Sequence, residues 1–218
     1  MRQILHLRVD GFPVAVERLR DPELKGRPVV ICARHSPRSL VFSASPEARG
    51  EGVHEGLPLT KALRRCRRLV VLPANGRLYR KAAGEIARLL EIYSPLVESS
   101  YLGRFYVDMT GSKRLFGHVQ DSAFHIRCRV QDSVGLCSTL GIGSNKLVSG
   151  VAARVVESHG DLYAVPSGSE ASFLAPLGVD VLPAVRHGMN RVMLAEFNIR
   201  MVQQLAAFSV VQLTSVFG

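Results

Sequence analysis

The sequence predicts an α+β fold: strands and helices mixed up to about residue 165, followed by a small tail of helix alone. Three observations carry this expectation. Several short runs place apolar residues at every second position, the period of a strand. Other stretches place them three and four apart, the period of a helix. After Pro166 only short helical pieces remain.

The elements follow in order. "ILHLRVD" (4–10) opens as a strand, with Leu5, Leu7 and Val9 alternating with His6, Arg8 and Asp10. Gly11 and Pro13 break that alternation ahead of a short helix at 14–19. "DPELKGRPVVIC" is a turn and then a strand at 28–32. "SPRSLVFSASPEARGEGVHEGLPL" is rich in Gly, Ser and Pro and holds a strand, a short helix and turns. "LTKALRRC" is a short helix and "RLVVLPA" a strand ended by Pro73. "GRLYRKAAGEIARLLEIYS" is the clearest helix, with Leu78, Ala82, Ile86, Leu89, Leu90 and Tyr93 on one face. "RFYVDMTGS" is a strand, "DSAFHIRCRVQDSVG" a helix and "LCSTLGIG" a strand. Ser144 is the expected N-cap of the helix in "NKLVSGVAARVVESHG", which stops at Gly160. "DLYAVP" is a last short strand. The helical pieces of the tail are "GSEASFLAP", "AVRHGMNRVMLAEF" and "IRMVQQLAAF".

Composition bounds the function. The 218 residues are 47% hydrophobic, enough for one large domain or two to three small ones. Apolar runs such as "RLVVLP" are strand-length, far below the roughly 20 residues of a membrane span. The start, "MRQILHLRVD", is too short and too interrupted by charge for a signal peptide. A soluble cytoplasmic protein with no membrane partner is expected. Cys32, Cys66, Cys128 and Cys137 form no CxxC pair and no zinc-ligand spacing, so they read as reduced thiols.

Charge is the informative quantity. Lys and Arg number 28 against 18 Asp and Glu, a net charge of +10, which points to a polyanionic partner. "KALRRCRR" (61–68) carries five of those cations, so Lys61, Arg64 and Arg65 are candidate DNA contacts. A solvated helix face is the plainer reading of the same run. Aromatic content is 6% with no Trp, which speaks against a stacking platform for single strands.

Five stretches, in this order, resemble one family. "ILHLRVDGFPVAVERLRDPELKGRPVVI" resembles a strand with a metal-binding Asp, then a helix, then "NPELKGKPV". "ASPEARGEGVHEGLPLTKALRRC" resembles "xYEARxxGVxxGMPxxxAxxxC". "YSPLVESSYLGRFYVDMTG" resembles "YTPxVExxSIDEAYLDVTG". "LGIGSNKLVSGVAARVVESHGDLYAVP" and "LGVDVLPAVRHGMNRVMLAEFNIRMVQQLAAFS" resemble the segments that follow them. The family is the Y-family (UmuC/DinB-type) translesion DNA polymerases. The chain most resembles its catalytically inactive ImuB-type homologues. The resemblance implies a right-hand fold. Residues 1–16 and 77–165 would form the palm, 17–76 small fingers and 166–218 a helical thumb, with the little-finger domain absent from this chain.

The resemblance also implies a lost site. Family polymerases hold two Mg²⁺ with three carboxylates, which must bring both ions together against their repulsion. Carried over residue by residue, those carboxylates fall on Arg8, Gly103 and Arg104. No Mg²⁺ and no other cofactor is therefore expected here. The aromatic that gates against a ribose 2′-OH falls on Pro13, a triphosphate-binding Tyr on Pro46, and a Lys near the end of the last palm helix on Glu157. Arg49 is kept and is the nucleotide-binding remnant. Phe12, Glu17, Pro58, Tyr106, Asp108, Asn145 and Lys146 are kept as frame, and Lys146 is a further DNA candidate. The thumb hairpin "PGxGxxT" reads "PAVRHGM", with Ala184 and Arg186 in place of its glycines; Arg186 could attract phosphate by side-chain charge.

Asp10 and Asp108 share strand faces with lost ligands. They leave open an active nucleotidyltransferase with a displaced metal site. "GIGSN" (141–145) lacks the Lys-Ser/Thr ending of a phosphate loop, and a strand–turn–helix explains it better. The leading expectation is an inactive accessory in translesion repair. It would bind DNA weakly and without sequence preference, and work beside a sliding clamp, a RecA-like protein and an active polymerase. A protein-interaction scaffold without DNA binding is the third reading, which the charge disfavours.

Overall fold

The computed structural model describes residues 2–33, 36, 38–156, 162–183, 185 and 189–217. The chain runs β1 (Ile4–Arg8), α1 (Phe12–Arg20), a 3-10 turn (Pro22–Leu24), β2 (Val29–Cys32), β3 (Val41–Ala44), α2 (Pro46–Gly50), α3 (Leu59–Arg65), β4 (Val70–Pro73) and α4 (Gly76–Glu91). It continues through β5 (Val97–Tyr101), β6 (Arg104–Asp108), α5 (Lys113–Phe116), α6 (Val119–Val134), β7 (Thr139–Gly143), α7 (Lys146–Val156) and β8 (Leu162–Ala164). It ends in α8 (Glu170–Leu174), a 3-10 turn (Val179–Val181), α9 (Met189–Glu196), α10 (Val202–Ala206) and α11 (Val210–Phe217). Five strands form one sheet in the order β5-β6-β1-β7-β8, and three form another in the order β3-β2-β4. Among the described residues no helix is long and apolar enough to cross a membrane.

The chain divides into two compact units. One comprises Met1–Leu7, Tyr106–Phe124 and Thr139–Gly218. Within it α7 lies on β7 and β8. Its approach to β7 requires glycine: a Cβ at Gly141 would fall onto the Ser149 carbonyl and the Ala153 amide. The helical tail has a small core of its own, Val179, Val185, Leu194 and Ile199.

The other unit comprises Arg8–Phe105 and His125–Ser138. Here β2 pairs antiparallel with β3 and parallel with β4. Val30, Cys32, Val41, Ala44 and Val53 form a core with Leu59, Ala62 and Cys66 from and just after α3. Cys32, Cys66, Cys128 and Cys137 are free thiols; the first two are buried, and burial pushes the Cys32 thiol up.

Several expectations change. β1 alternates apolar and polar residues in sequence, yet Ile4–Arg8 is buried throughout. β1 is an interior strand of its sheet, and on its polar side the His6 ring lies against that of Tyr106, with centroids 4.3 Å apart. The first helix begins at Phe12 and takes in Pro13, because a proline in the first turn gives up an amide that has no partner there. Asn145, not Ser144, caps α7: its Oδ1 accepts from the Val148 amide at 2.9 Å. On α4 the buried residues are Tyr79, Ile86 and Leu90, so the inner face is centred nearer Tyr79 than predicted. The Tyr79 hydroxyl donates to Glu17 Oε1 at 2.9 Å. β5 and α11 were not expected. Gly160 lies outside the described residues.

Candidate active site

β1 delivers Arg8 at its end, the turn between β5 and β6 delivers Gly103, and β6 begins with Arg104. The Val9 amide donates to the Gly103 carbonyl at 2.8 Å, which ties the two segments together. Arg8 is 8% exposed, and its Nε lies 2.5 Å from Asp10 Oδ1. Gly103 has φ +73°, a conformation that favours glycine. A Cβ built there would stand 2.6 Å from the Cβ, Cγ and Cδ2 of Phe12. Phe12 is itself buried in the first turn of α1. The Arg104 guanidinium sits 5.7 Å from the Tyr101 ring centroid, within cation–π range.

These residues do not fit a divalent-metal centre. Two of the three positions bring guanidinium groups, which carry donors and no acceptor. The third has no room for a side chain. Asp10 is engaged with Arg8. Asp108 Oδ1 accepts from the Thr110 amide at 2.9 Å, and Oδ2 lies 3.6 Å from Arg2 Nε. Burial alone raises the Asp108 carboxyl, but Thr110 and Arg2 outweigh it and hold it below the usual value. Among the described residues, no three His, Cys, Asp or Glu side chains group as metal ligands.

The neighbouring positions are apolar or already paired. Pro13 is buried in α1. Pro46 opens α2, which Ser45 caps by accepting from the Ala48 amide at 3.2 Å. Arg49 donates to Glu55 at 2.9 Å. Phe42 and Tyr101 expose their rings beside each other, with centroids 6.5 Å apart and planes at 58°. That pair was missed in the sequence; its signal was the period-two spacing of Leu40 and Phe42, both exposed.

The DNA candidates are spread out. Lys61, Arg64 and Arg65 are exposed on α3, and Arg65 donates to the Gly52 carbonyl at 2.5 Å. Lys146 opens α7, its Nζ 5.7 Å from the Tyr106 ring centroid. Glu157, Ala184 and Arg186 lie outside the described residues.

The fold is that of Y-family DNA polymerases. The structure matches DinB from Sulfolobus solfataricus with a TM-score of 0.86 at 22% identity, covering 99% of this chain and 63% of that one. An insertion ternary complex of Dbh DNA polymerase matches with the same score and coverage at 23% identity. Residues 7–154 match the impB/mucB/samB family, and the chain belongs to that family. DNA polymerase IV of Dehalococcoides mccartyi is 35% identical over 185 residues, covering 85% of this chain and 47% of the relative. DNA polymerase IV of Desulfatibacillum aliphaticivorans is 33% identical, covering 99% and 54%. The chain thus spans about half the length of the curated relatives it matches.

Proposed function

We propose that this Y-family homologue works in translesion DNA repair as an accessory that contacts DNA without synthesising it. Residues 1–16 and 77–165 serve as palm, 17–76 as fingers and 166–218 as thumb. The reading is carried by one observation: Phe12 fills the space in which a side chain at position 103 would begin. Arg8 and Arg104 stand at the two other positions that the family fills with carboxylates, so the site repels cations instead of gathering them. The net charge of +10 supports weak, sequence-independent DNA contact. A chain that touches DNA but performs no phosphoryl transfer suits a partner role beside a sliding clamp, a RecA-like protein and an active polymerase.

Crystals soaked with Mn²⁺, a deoxynucleoside triphosphate and primed template test the reading. No anomalous peak is expected between residues 8, 103 and 104. A manganese peak there with oxygen ligands would overturn it.

A further inference from the structure

Residues 56–84 hold eight Lys and Arg and not one Asp or Glu, so this stretch carries +8 of the chain's net +10. It folds as α3, β4 and the first half of α4. β4 is an edge strand of its sheet, paired on one side with β2. Two of the cations are satisfied internally: Arg65 by the Gly52 carbonyl and Arg68 by Glu51 at 3.6 Å. The other six, Lys61, Arg64, Arg67, Arg77, Arg80 and Lys81, are exposed and make no hydrogen bond or ion pair among the described residues. Elsewhere several arginines are paired, as in Arg18–Glu47 at 2.7 Å and Arg88–Glu85 at 2.9 Å. Outside this stretch 20 Lys and Arg face 18 Asp and Glu, so the excess of positive charge is local.

Its placement works against the helix that bears it. Tyr79, Ile86 and Leu90 mark the buried face of α4, and Arg77 and Lys81 lie one turn apart on the face opposite. Arg77, Arg80 and Lys81 crowd the first turns, where the helix dipole is positive, and the first turn has no acidic residue. A face built for solvation alone mixes both signs. Cations guarding an edge strand against mispairing account for charge beside β4, but not for three at the start of α4.

The four residues of β4 span about 13 Å. Arg64 and Arg67 precede the strand while Arg77 and Arg80 follow it, so the two groups belong to its opposite ends. A mononucleotide is too short to meet both. A duplex, with one charge per about 1.7 Å of axis, meets both easily. We propose that the outer edge of the three-stranded sheet, with α3 and the start of α4, is a DNA-backbone contact surface distinct from the Arg8–Gly103–Arg104 position. It reads no sequence, because long cations on phosphates carry no base information. The identity of the polyanion rests on the DNA-contact reading above.

The test compares two triple charge reversals by anisotropy on a mixed-sequence duplex between 50 and 200 mM salt. One is Arg77→Glu/Arg80→Glu/Lys81→Glu; the control is Lys113→Glu/Arg114→Glu/Arg200→Glu, at exposed residues elsewhere. The first should weaken binding by at least about tenfold and lower the log–log salt slope by about 0.9 for each phosphate it no longer neutralises. The control should stay within about threefold. The melting temperature of the first variant should hold or rise, since Glu suits a helix N-terminus, which separates weaker DNA binding from failure to fold. Equal weakening in both variants would overturn the surface and leave DNA contact standing. A parent protein that binds no DNA would overturn both. Poly-glutamate held as tightly as DNA, with the same weakening in the first variant, would overturn the assignment of the ligand.

Discussion

The ring of Phe12 stands where a side chain at position 103 would begin: Cβ, Cγ and Cδ2 of Phe12 all lie 2.6 Å from the Cβ site of Gly103. Gly103→Ala therefore meets two penalties, the positive φ and the overlap. Together they cost about 2–5 kcal/mol, from about 1–2 for the backbone and 1–3 for overpacking. Denaturant unfolding measures this. In a double-mutant cycle with Phe12→Ala, the two changes should cost less than their sum by about 0.5–3 kcal/mol, because removing the ring removes the overlap.

Restoring the carboxylates runs into the same overlap. Arg8→Asp/Arg104→Glu should fold, and adding Gly103→Asp should destabilise it by at least the cost of Gly103→Ala. Neither variant should extend a primer, since Pro13 and Pro46 still occupy positions where the family resemblance places nucleotide contacts. Thermal unfolding with and without Mg²⁺ checks this: the metal should raise the melting temperature of neither.

The sequence made the periodic elements legible and left the long-range contacts hidden. α4 is readable because its apolar residues recur at helical spacing, although Tyr79, an amphipathic residue, does not stand out in that pattern as an anchor. β5 was not readable: "VESSY" has no apolar alternation, and an edge strand exposed at four of its five residues needs none. His6 and Arg8 are polar, and their burial depends on contacts distant in sequence, such as Tyr106 beside His6. Ser144 and Asn145 are both good caps side by side, and the choice between them depends on backbone direction. At the site, the residue types at 8, 103 and 104 were plain in the sequence. That Gly103 is sterically committed to glycine was not, because Phe12 meets it only after folding.

Tyr79 and Glu17 form a buried pair, with the hydroxyl donating to the carboxylate. Tyr79→Phe leaves a buried acceptor without its donor and should cost about 1.5–3 kcal/mol. Burial first, and then Glu17, pushes the Tyr79 phenol up from 10.0 to about 12. The folded state thus holds this proton longer than the unfolded one. Stability from this source is full below pH 10 and falls as pH rises toward about 12. Urea titrations across that window should show the fall in the parent protein and a shallower one in Tyr79→Phe.

Asn145→Ala removes the acceptor for the Val148 amide at the start of α7. A missing cap costs about 0.5–2 kcal/mol, whereas Ser144→Ala should be nearly neutral. Hydrogen exchange at Val148 should speed up in the first variant only.

Primer extension with Mg²⁺ or Mn²⁺, run beside a DNA-binding titration on one sample, tests the central claim most directly. The predicted result is salt-sensitive DNA binding with no nucleotide added to the primer in either metal. Template-directed extension that depends on the metal, and is abolished by changing Asp10 or Asp108 to Asn, would contradict it and establish an active site displaced from the family position.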